Sequence, residues 1–228
     1  MSFEDAIKDL RKGKFILIHD FAERENEVDF VVLAEKVKPE HIAQMRRDGG
    51  GLICTAIHPR IAENFGLPYL TEIFEIAGRR FSILELSRAD DLPYDERSSF
   101  SISVNHRKTF TGITDRDRAL TIRELGRLGA KAMKKSVVND FGRNFRTPGH
   151  VPILRAADGL LSERRGHTEL AVAIAEIAGT TPVLSICEMV DGNSGGSLSK
   201  RDAEKYAELH GLQLLSGNEV LRKWRELS

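Results

Sequence analysis

The chain has 228 residues, 41% of them apolar and 30% charged, which is typical of a soluble globular protein with a sizeable core. Lysine plus arginine and aspartate plus glutamate balance at 34 each, which excludes an overall basic field for nucleic acid or an anionic membrane. No apolar segment is long enough to span a bilayer, and the N-terminus lacks the pattern of a secretory signal. Cys54 and Cys187 lie in apolar segments, as buried reduced thiols do. We therefore expect a cytoplasmic protein with no membrane or nucleic-acid partner.

The first half of the chain predicts helices and strands separated by polar loops. Ser2 and Asp5 have the spacing of a capping box, which opens a helix that ends near Gly13. Pro39 is suited to the first turn of a second helix, which ends at the glycines after residue 48. A shorter helix is expected over 59–66, and residues 88–99 form a polar loop. Apolar runs or alternation predict strands over 14–19, 30–34, 52–57, 81–86 and 100–104.

The second half alternates more regularly between the two kinds of element. Thr121 and Glu124 form a second capping box, which predicts a helix through about Lys135. Further helices are expected over 169–178, over 199–210 and at the C-terminus to about Trp224, with strands over 151–154, 183–187 and 212–215. The chain shows no internal repeat or linker. We expect an α/β (α+β) fold, with a mixed β-sheet layered with helices in a single domain over residues 1–228.

Three carboxylates at alternate positions, Glu25, Glu27 and Asp29, follow Arg24 directly after an apolar run. In an extended segment they project from one face, where like charges repel. Such a cluster persists where a cation, an arginine or a shared proton compensates the charge. A hard divalent ion such as Mg²⁺ is the leading candidate.

A second group of polar residues begins the helix over 169–178. Arg164, Arg165 and Thr168 stand where unpaired backbone N–H groups and the helix dipole favour an anion, so they predict a phosphate site. The alternative is an exposed helix start with solvated arginines. His167 suits a mixed carboxylate and imidazole site for Mg²⁺ or Mn²⁺, but by itself it is equally a solvated loop histidine.

Other candidates lie at turns and strand ends. His150 follows a Pro-Gly turn that fixes its imidazole for acid or base chemistry, although such a ring also caps turns. Glu188 ends an apolar strand, which is a common position for site residues in α/β sheets. Thr111 begins a small polar segment that is also consistent with a self-paired turn. Cys54 lies in a strand without a nearby base, which argues against a nucleophile.

Taken together and in order, these segments resemble the 3,4-dihydroxy-2-butanone 4-phosphate synthase family over most of the chain. The acidic loop after Arg24 is similar to that of the family, although Val28 stands where many members have glycine. The family's Ser/Thr-x-x-Asp-Arg-x-x-Thr-Ile element is matched from Thr114 to Ile122. Its two histidine motifs and its Cys-Glu pair are matched around His150, His167 and Glu188.

The resemblance implies conversion of D-ribulose 5-phosphate to L-3,4-dihydroxy-2-butanone 4-phosphate and formate in riboflavin biosynthesis. It also implies Mg²⁺ with Mn²⁺ as a possible substitute, two divalent ions per active site, and a homodimer with shared active sites. By residue, it implies Glu25 and His167 as metal ligands; Glu27, Asp29, His150 and Glu188 as catalytic groups; and Arg24, Cys54, Thr111, Arg164 and Thr168 as substrate-binding groups.

Two other interpretations stay open on the sequence alone. Another metal-dependent isomerase or aldolase of sugar phosphates could use the same acids, imidazoles and arginines, but it would release no formate. An RNA-binding module with a related twisted sheet, as in threonylcarbamoyl-adenylate synthases, is disfavoured by the balanced charge.

Overall fold

A single mixed sheet of seven strands organises the fold in the computed structural model, which describes residues 2–89, 91, 95 and 98–227. The strand order is β4-β5-β3-β6-β2-β1-β7. The β1–β7 and β3–β5 pairs are parallel, and the other pairs are antiparallel. The strands are β1 (Ile16–His19), β2 (Val28–Leu33), β3 (Cys54–Ile57), β4 (Phe100–His106), β5 (Phe145–Arg155), β6 (Val183–Glu188) and β7 (Gln213–Ser216).

Helices cover both faces of the sheet. They are α1 (Phe3–Arg11), α2 (Pro39–Gln44), α3 (Pro59–Phe65), α4 (Leu70–Gly78), α5 (Ser82–Leu86), α6 (Asp115–Ala132), α7 (Val138–Asn144), α8 (His167–Ile177), α9 (Lys200–His210) and α10 (Gly217–Arg225). Short 3-10 turns occupy Ala34–Lys36 and Leu160–Ser162, and a π-helix at Met45–Gly49 continues α2. Within the described part of the chain, no helix is both long enough and apolar enough to cross a membrane.

Two apolar cores result from this layering, one on each face of the sheet. Alternate residues of β2 divide between them, because successive side chains of a strand point to opposite faces. Val28 and Phe30 pack on the face covered by α3, α6 and α9, and Val31 packs on the face covered by α1, α8 and α10. The predicted mixed sheet layered with helices is confirmed.

Three predicted elements differ from the structure. Residues 82–86 form the helix α5 rather than a strand, and the flanking polar loop lies partly outside the described residues. Helix α6 begins at Asp115 with Thr114 as its N-cap, so the capping box predicted at Thr121 is wrong. Thr121 is buried inside the helix, where its hydroxyl donates to the Asp117 carbonyl and accepts from the His106 amide. The short strand predicted at 151–154 is the end of the longer β5.

Candidate active site

Two acidic side chains face each other where β2 and β6 meet. Asp29 and Glu188 are directly opposite across this antiparallel pair, on the face covered by α8. Like charges in that arrangement are destabilising unless something compensates them. Glu188 is held in place because its Oε2 accepts from the Leu52 amide at 2.7 Å. Gly51 allows this contact, since a β-carbon there would lie 2.7 Å from the Glu188 β-carbon.

The acidic loop before β2 is folded into a turn around the buried carboxylate of Asp20. Its Oδ1 accepts from the Glu27 amide at 2.9 Å and its Oδ2 from the Glu25 amide at 3.2 Å. Asn26 has φ 57, and its side chain is hydrogen-bonded to His19 Nε2 at 2.9 Å. The segment is extended only from Val28, where β2 begins, so Asp29 lies on the strand and Glu25 reaches the site from a turn.

His167, the first residue of α8, joins the turn to the acidic pair. Its Nδ1 lies 3.1 Å from Glu25 Oε2, and its Nε2 lies 3.6 Å from Asp29 Oδ1. Both Nε2 and Oδ1 are buried and lack a hydrogen-bond partner among the described residues. Asp20, Glu25 and His167 each offer a ligand atom, and these atoms lie within 4.8 Å of one another. This donor set of carboxylates and imidazole fits a divalent cation.

The charges of this cluster shift the acid–base behaviour of its members. Burial alone would raise the pKa of Glu25, but the hydrogen bond with His167 and the charge of Arg24 lower it to about 2. Burial also raises the pKa of Asp29, to about 8, with a further contribution from Glu188. The pKa of His167 is raised to about 9, because the surrounding carboxylates outweigh the effect of its burial. Neighbouring acids thus differ strongly in proton affinity, as acid–base catalysis requires.

Two arginines border the same cluster and share one carboxylate. Asp95 Oδ2 accepts from Arg24 Nη2 at 2.5 Å and from Arg164 Nη2 at 2.5 Å. Arg164 Nη1 also donates to the fully buried Glu169 at 2.6 Å. Burial alone would lower the pKa of Arg164, but these two carboxylates raise it. The shared Asp95 carboxylate therefore holds the two guanidinium groups close together.

A pocket of about 290 Å³ lies over this cluster, which is large enough for a small polar metabolite. Among the predicted site residues, those that line it are Glu25, Asp29, Cys54, Arg164, His167, Thr168 and Glu188. Thr168 lies at the start of α8, and burial raises the pKa of the Cys54 thiol well above its usual value. A thiol with a raised pKa is a poor nucleophile, so Cys54 contributes to the shape of the pocket wall.

The remaining predicted residues lie outside the pocket lining. Arg24 contacts two of the lining residues, Glu25 and Asp95. Glu27 points toward the loop before α9, where its carboxylate accepts from the Ser197 hydroxyl.

His150 and Thr111 form a separate polar cluster near the edge of the sheet. Asn105 of β4 lies between them and is hydrogen-bonded to the His150 ring at 3.1 Å and to the Thr111 carbonyl at 3.5 Å. The Thr111 hydroxyl donates to Asp117 at 3.4 Å.

Sequence reasoning missed several residues of both clusters. Asp20, Asp95 and Glu169 act by holding the loop and the arginines, and Asn105 contacts His150 from a neighbouring strand. Only Glu169 carried a signal. It stands three residues after Gly166 and accepts from the Gly166 amide, as an acid in the first helical turn does.

Comparison with known proteins identifies the family. A model of 3,4-dihydroxy-2-butanone 4-phosphate synthase matches residues 4–223. A synthase of that name from Archaeoglobus fulgidus is 50% identical, with 100% of this chain and 97% of the relative covered. Another from Methanothermobacter thermautotrophicus is 50% identical, with 98% and 96% covered.

Among solved structures, a 3,4-dihydroxy-2-butanone 4-phosphate synthase in complex with two magnesium ions is 30% identical. It superposes with a TM-score of 0.76, with 96% of this chain and 94% of that chain covered. The chain therefore belongs to the 3,4-dihydroxy-2-butanone 4-phosphate synthase family, the carbon–carbon lyases that make this butanone phosphate and formate from D-ribulose 5-phosphate in riboflavin biosynthesis.

Proposed function

We propose that the pocket over Asp29, Glu188 and His167 is the site at which this chain converts ribulose 5-phosphate, and that a divalent cation binds there. The observation that carries this proposal is the pair of buried atoms His167 Nε2 and Asp29 Oδ1, which face each other 3.6 Å apart without a hydrogen bond. Buried polar atoms of this kind are costly unless something else binds them. Glu25, whose Oε2 lies 3.1 Å from His167 Nδ1, supplies a further carboxylate beside them.

We assign Glu25 and His167 as the metal ligands, with Asp20 as an additional carboxylate that sequence reasoning did not include. Mg²⁺ is the proposed ion and Mn²⁺ a possible substitute. The proposal of two ions per site is supported by the related synthase that is described in complex with two magnesium ions. When bound, the metal supplies a Lewis acid that stabilises negative charge on neighbouring sugar oxygens.

Arg164, Arg24 and Thr168 bind the substrate phosphate in this proposal. Arg164 and Thr168 stand at the N-terminal end of α8, where the helix dipole and backbone N–H groups also favour an anion. Both arginines already bind the Asp95 carboxylate, which supports their ability to bind an anion at this position. Binding of the phosphate holds the reacting carbons over the acidic pair, so the free energy of phosphate binding is used to orient the substrate for the reaction.

The acidic pair moves protons in the proposed mechanism. Burial raises the pKa of Asp29 to about 8, close to neutral pH, as suits a group that exchanges protons with a substrate. Glu188 is fixed by the Leu52 amide next to it and assists that exchange. Glu27 is assigned to proton handling, which requires its carboxylate to leave the Ser197 hydroxyl that it contacts in the structure.

His150 and Thr111 act in a shared site of a homodimer, in which each chain supplies them to the pocket of its partner. This assignment explains why they form their own cluster, away from the pocket of the same chain. Exposed apolar side chains near that cluster support an interface there, since Phe110 is 93% and Ile113 49% exposed.

A complementation experiment tests the shared site. Glu25→Gln and His150→Gln homodimers are both expected to be inactive. When the two variants are unfolded and refolded together, mixed dimers contain one intact site, which restores about a quarter of the wild-type activity for random pairing. Failure of every mixture to regain activity, with mixed dimers shown to form, would exclude sharing.

Formate release tests the reaction itself. The chain is incubated with ribulose 5-phosphate and Mg²⁺, and formate is measured with and without a chelator. Formate only in the presence of metal is expected. Isomerised or cleaved sugar without formate would contradict the proposed function and support the isomerase or aldolase interpretation.

The continuous sheet supports a single catalytic domain over residues 1–228. The free, buried thiols of Cys54 and Cys187 support the cytoplasmic location predicted from the sequence.

A further inference from the structure

Asn105 holds His150 through two separate hydrogen bonds. Asn105 is 4% exposed and lies on β4, where the pairing with β5 shifts from Arg146 to Val151 across the stretch that carries His150. Its Oδ1 accepts from the His150 backbone amide at 2.8 Å, and its Nδ2 lies 3.1 Å from His150 Nδ1. One side chain thus fixes both the backbone and the ring of the same histidine.

The orientation of the Asn105 amide follows from the first of these bonds. A backbone N–H can only donate, so the atom that faces it must be the oxygen Oδ1. The nitrogen Nδ2 therefore faces the ring, and it can only donate. His150 Nδ1 must then accept, which places the ring proton of neutral His150 on Nε2. The Thr111 carbonyl, 3.5 Å from Nδ2, is an acceptor and favours the same orientation.

Two glycines surround the Asn105 amide and limit its movement. A side chain at Gly112, which has φ +95, would overlap the amide of Asn105. A side chain at Gly149 would overlap the β4 backbone at Val104. The amide is therefore enclosed by backbone that approaches closely only because these positions lack a β-carbon.

We propose that Asn105 is a positioning residue that holds His150 in the tautomer protonated at Nε2 and turns that N–H toward the substrate. The role in catalysis rests on the proposed function, since it requires His150 to act in the reaction. The tautomer itself does not. In this state His150 offers the substrate a proton donor at Nε2, while Nδ1 stays engaged with the protein.

The test uses Asn105→Asp, which has nearly the same shape. A carboxylate still accepts from the His150 backbone amide, but it also accepts at the ring and so requires the proton on Nδ1. The contact with the His150 amide is therefore kept while the tautomer is reversed, and only the long contact with the Thr111 carbonyl is lost. Asn218→Asp, at an exposed position in α10, is the matched control for the same chemical change.

Nitrogen NMR of histidine-labelled protein reads the tautomer directly, with the His150 signals assigned by their loss in His150→Gln. The wild type and Asn218→Asp should show a protonated Nε2 and an unprotonated Nδ1, and Asn105→Asp should show the reverse. For Asn105→Asp we expect kcat to fall about 100-fold, as for loss of a general acid, with KM changed less than about threefold.

Each outcome bears on one part of the inference. A wild-type ring protonated at Nδ1, or no reversal in Asn105→Asp, overturns the assignment of the tautomer whatever the activity. A reversed tautomer with unchanged kcat overturns the catalytic part. Full activity of His150→Gln contradicts the proposed role of His150, and it does so without affecting the NMR result.

Discussion

Replacing Glu169 by glutamine is expected to destabilise the protein and to weaken substrate binding together. The Glu169 carboxylate is 0% exposed and accepts three hydrogen bonds. Oε1 accepts from the Ala157 amide at 3.0 Å, and Oε2 accepts from the Gly166 amide at 3.2 Å and Arg164 Nη1 at 2.6 Å. All three partners are donors. The side-chain amide of glutamine has one oxygen and one nitrogen, so at least one donor would face an N–H group.

The expected loss of stability follows from these contacts. Removing one partner of a buried ion pair costs about 3–5 kcal/mol, because the buried charge and the buried backbone donors lose the acceptor that they share. For a chain of this length, about 2–4 °C of Tm is lost per kcal/mol, which gives a decrease of about 6–20 °C. Arg164 keeps Asp95 as a partner, so its side chain is displaced rather than released.

Thermal unfolding and steady-state kinetics together measure this effect. Glu169→Gln should lower Tm and raise KM for ribulose 5-phosphate, whereas Glu208→Gln, at an exposed position of α9, should change neither. A Glu169→Gln protein with unchanged Tm would refute the reasoning on buried donors. A lower Tm with unchanged KM would contradict the proposal that Arg164 binds the substrate phosphate.

Three further predictions concern other parts of the molecule. Mg²⁺ at 100 times its Kd should stabilise the wild type by about 2.7 kcal/mol, seen as a higher Tm, and should leave the Tm of His167→Ala unchanged. The pKa of Glu176 in the folded protein is lowered from 4.5, mainly by its hydrogen bond with His58. The ionised carboxylate therefore stabilises the fold above pH 4.5, and this stabilisation is lost as the pH falls through the lower pKa of the folded state. Urea unfolding of Glu176→Gln should therefore give lower stability at pH 7 and a weaker loss of stability below pH 4.5 than the wild type. Gly126→Ala should destabilise the protein by about 1–3 kcal/mol in the same assay, because the new β-carbon would lie 2.6 Å from the backbone of the 3-10 turn after β2. The control is Gly142→Ala, whose β-carbon would meet nothing within 4 Å, and it should be neutral or stabilising.

Local sequence patterns predicted the elements well where a buried face imposed a clear period. They failed where contacts outside the segment determine its secondary structure. The alternation of residues 81–86 indicates a strand, but Ile83 is 65% and Leu86 82% exposed, so no buried face selects that period and the segment is a helix. The Thr121 and Glu124 spacing is that of a capping box, yet Thr114 and Asp117 have the same kind of spacing seven residues earlier. The Asp117 amide donates to the Thr114 hydroxyl, so the helix begins there.

The sequence indicated residues that the structure brings together, but it did not indicate the residues that hold them in place. Glu25 and His167 were predicted because a carboxylate and an imidazole are common metal ligands, and the structure places them 3.1 Å apart. Asp20 and Asn105 act through hydrogen bonds to backbone atoms and to a neighbouring ring. Such contacts depend on the path of the chain, and a single sequence does not contain them.

The division of the predicted residues between two clusters also has a physical basis in the sheet. Asp29 and Glu188 lie on central strands, where burial and a shared face bring them together and raise the pKa of Asp29. His150 lies on β5 beside the edge strand β4, where one side of the sheet ends. The pocket over these central strands buries the charges of Asp29 and Glu188, and neither His150 nor Thr111 of the same chain lines it. An edge presents polar groups outward, which is the position that the proposed shared site requires of His150 and Thr111.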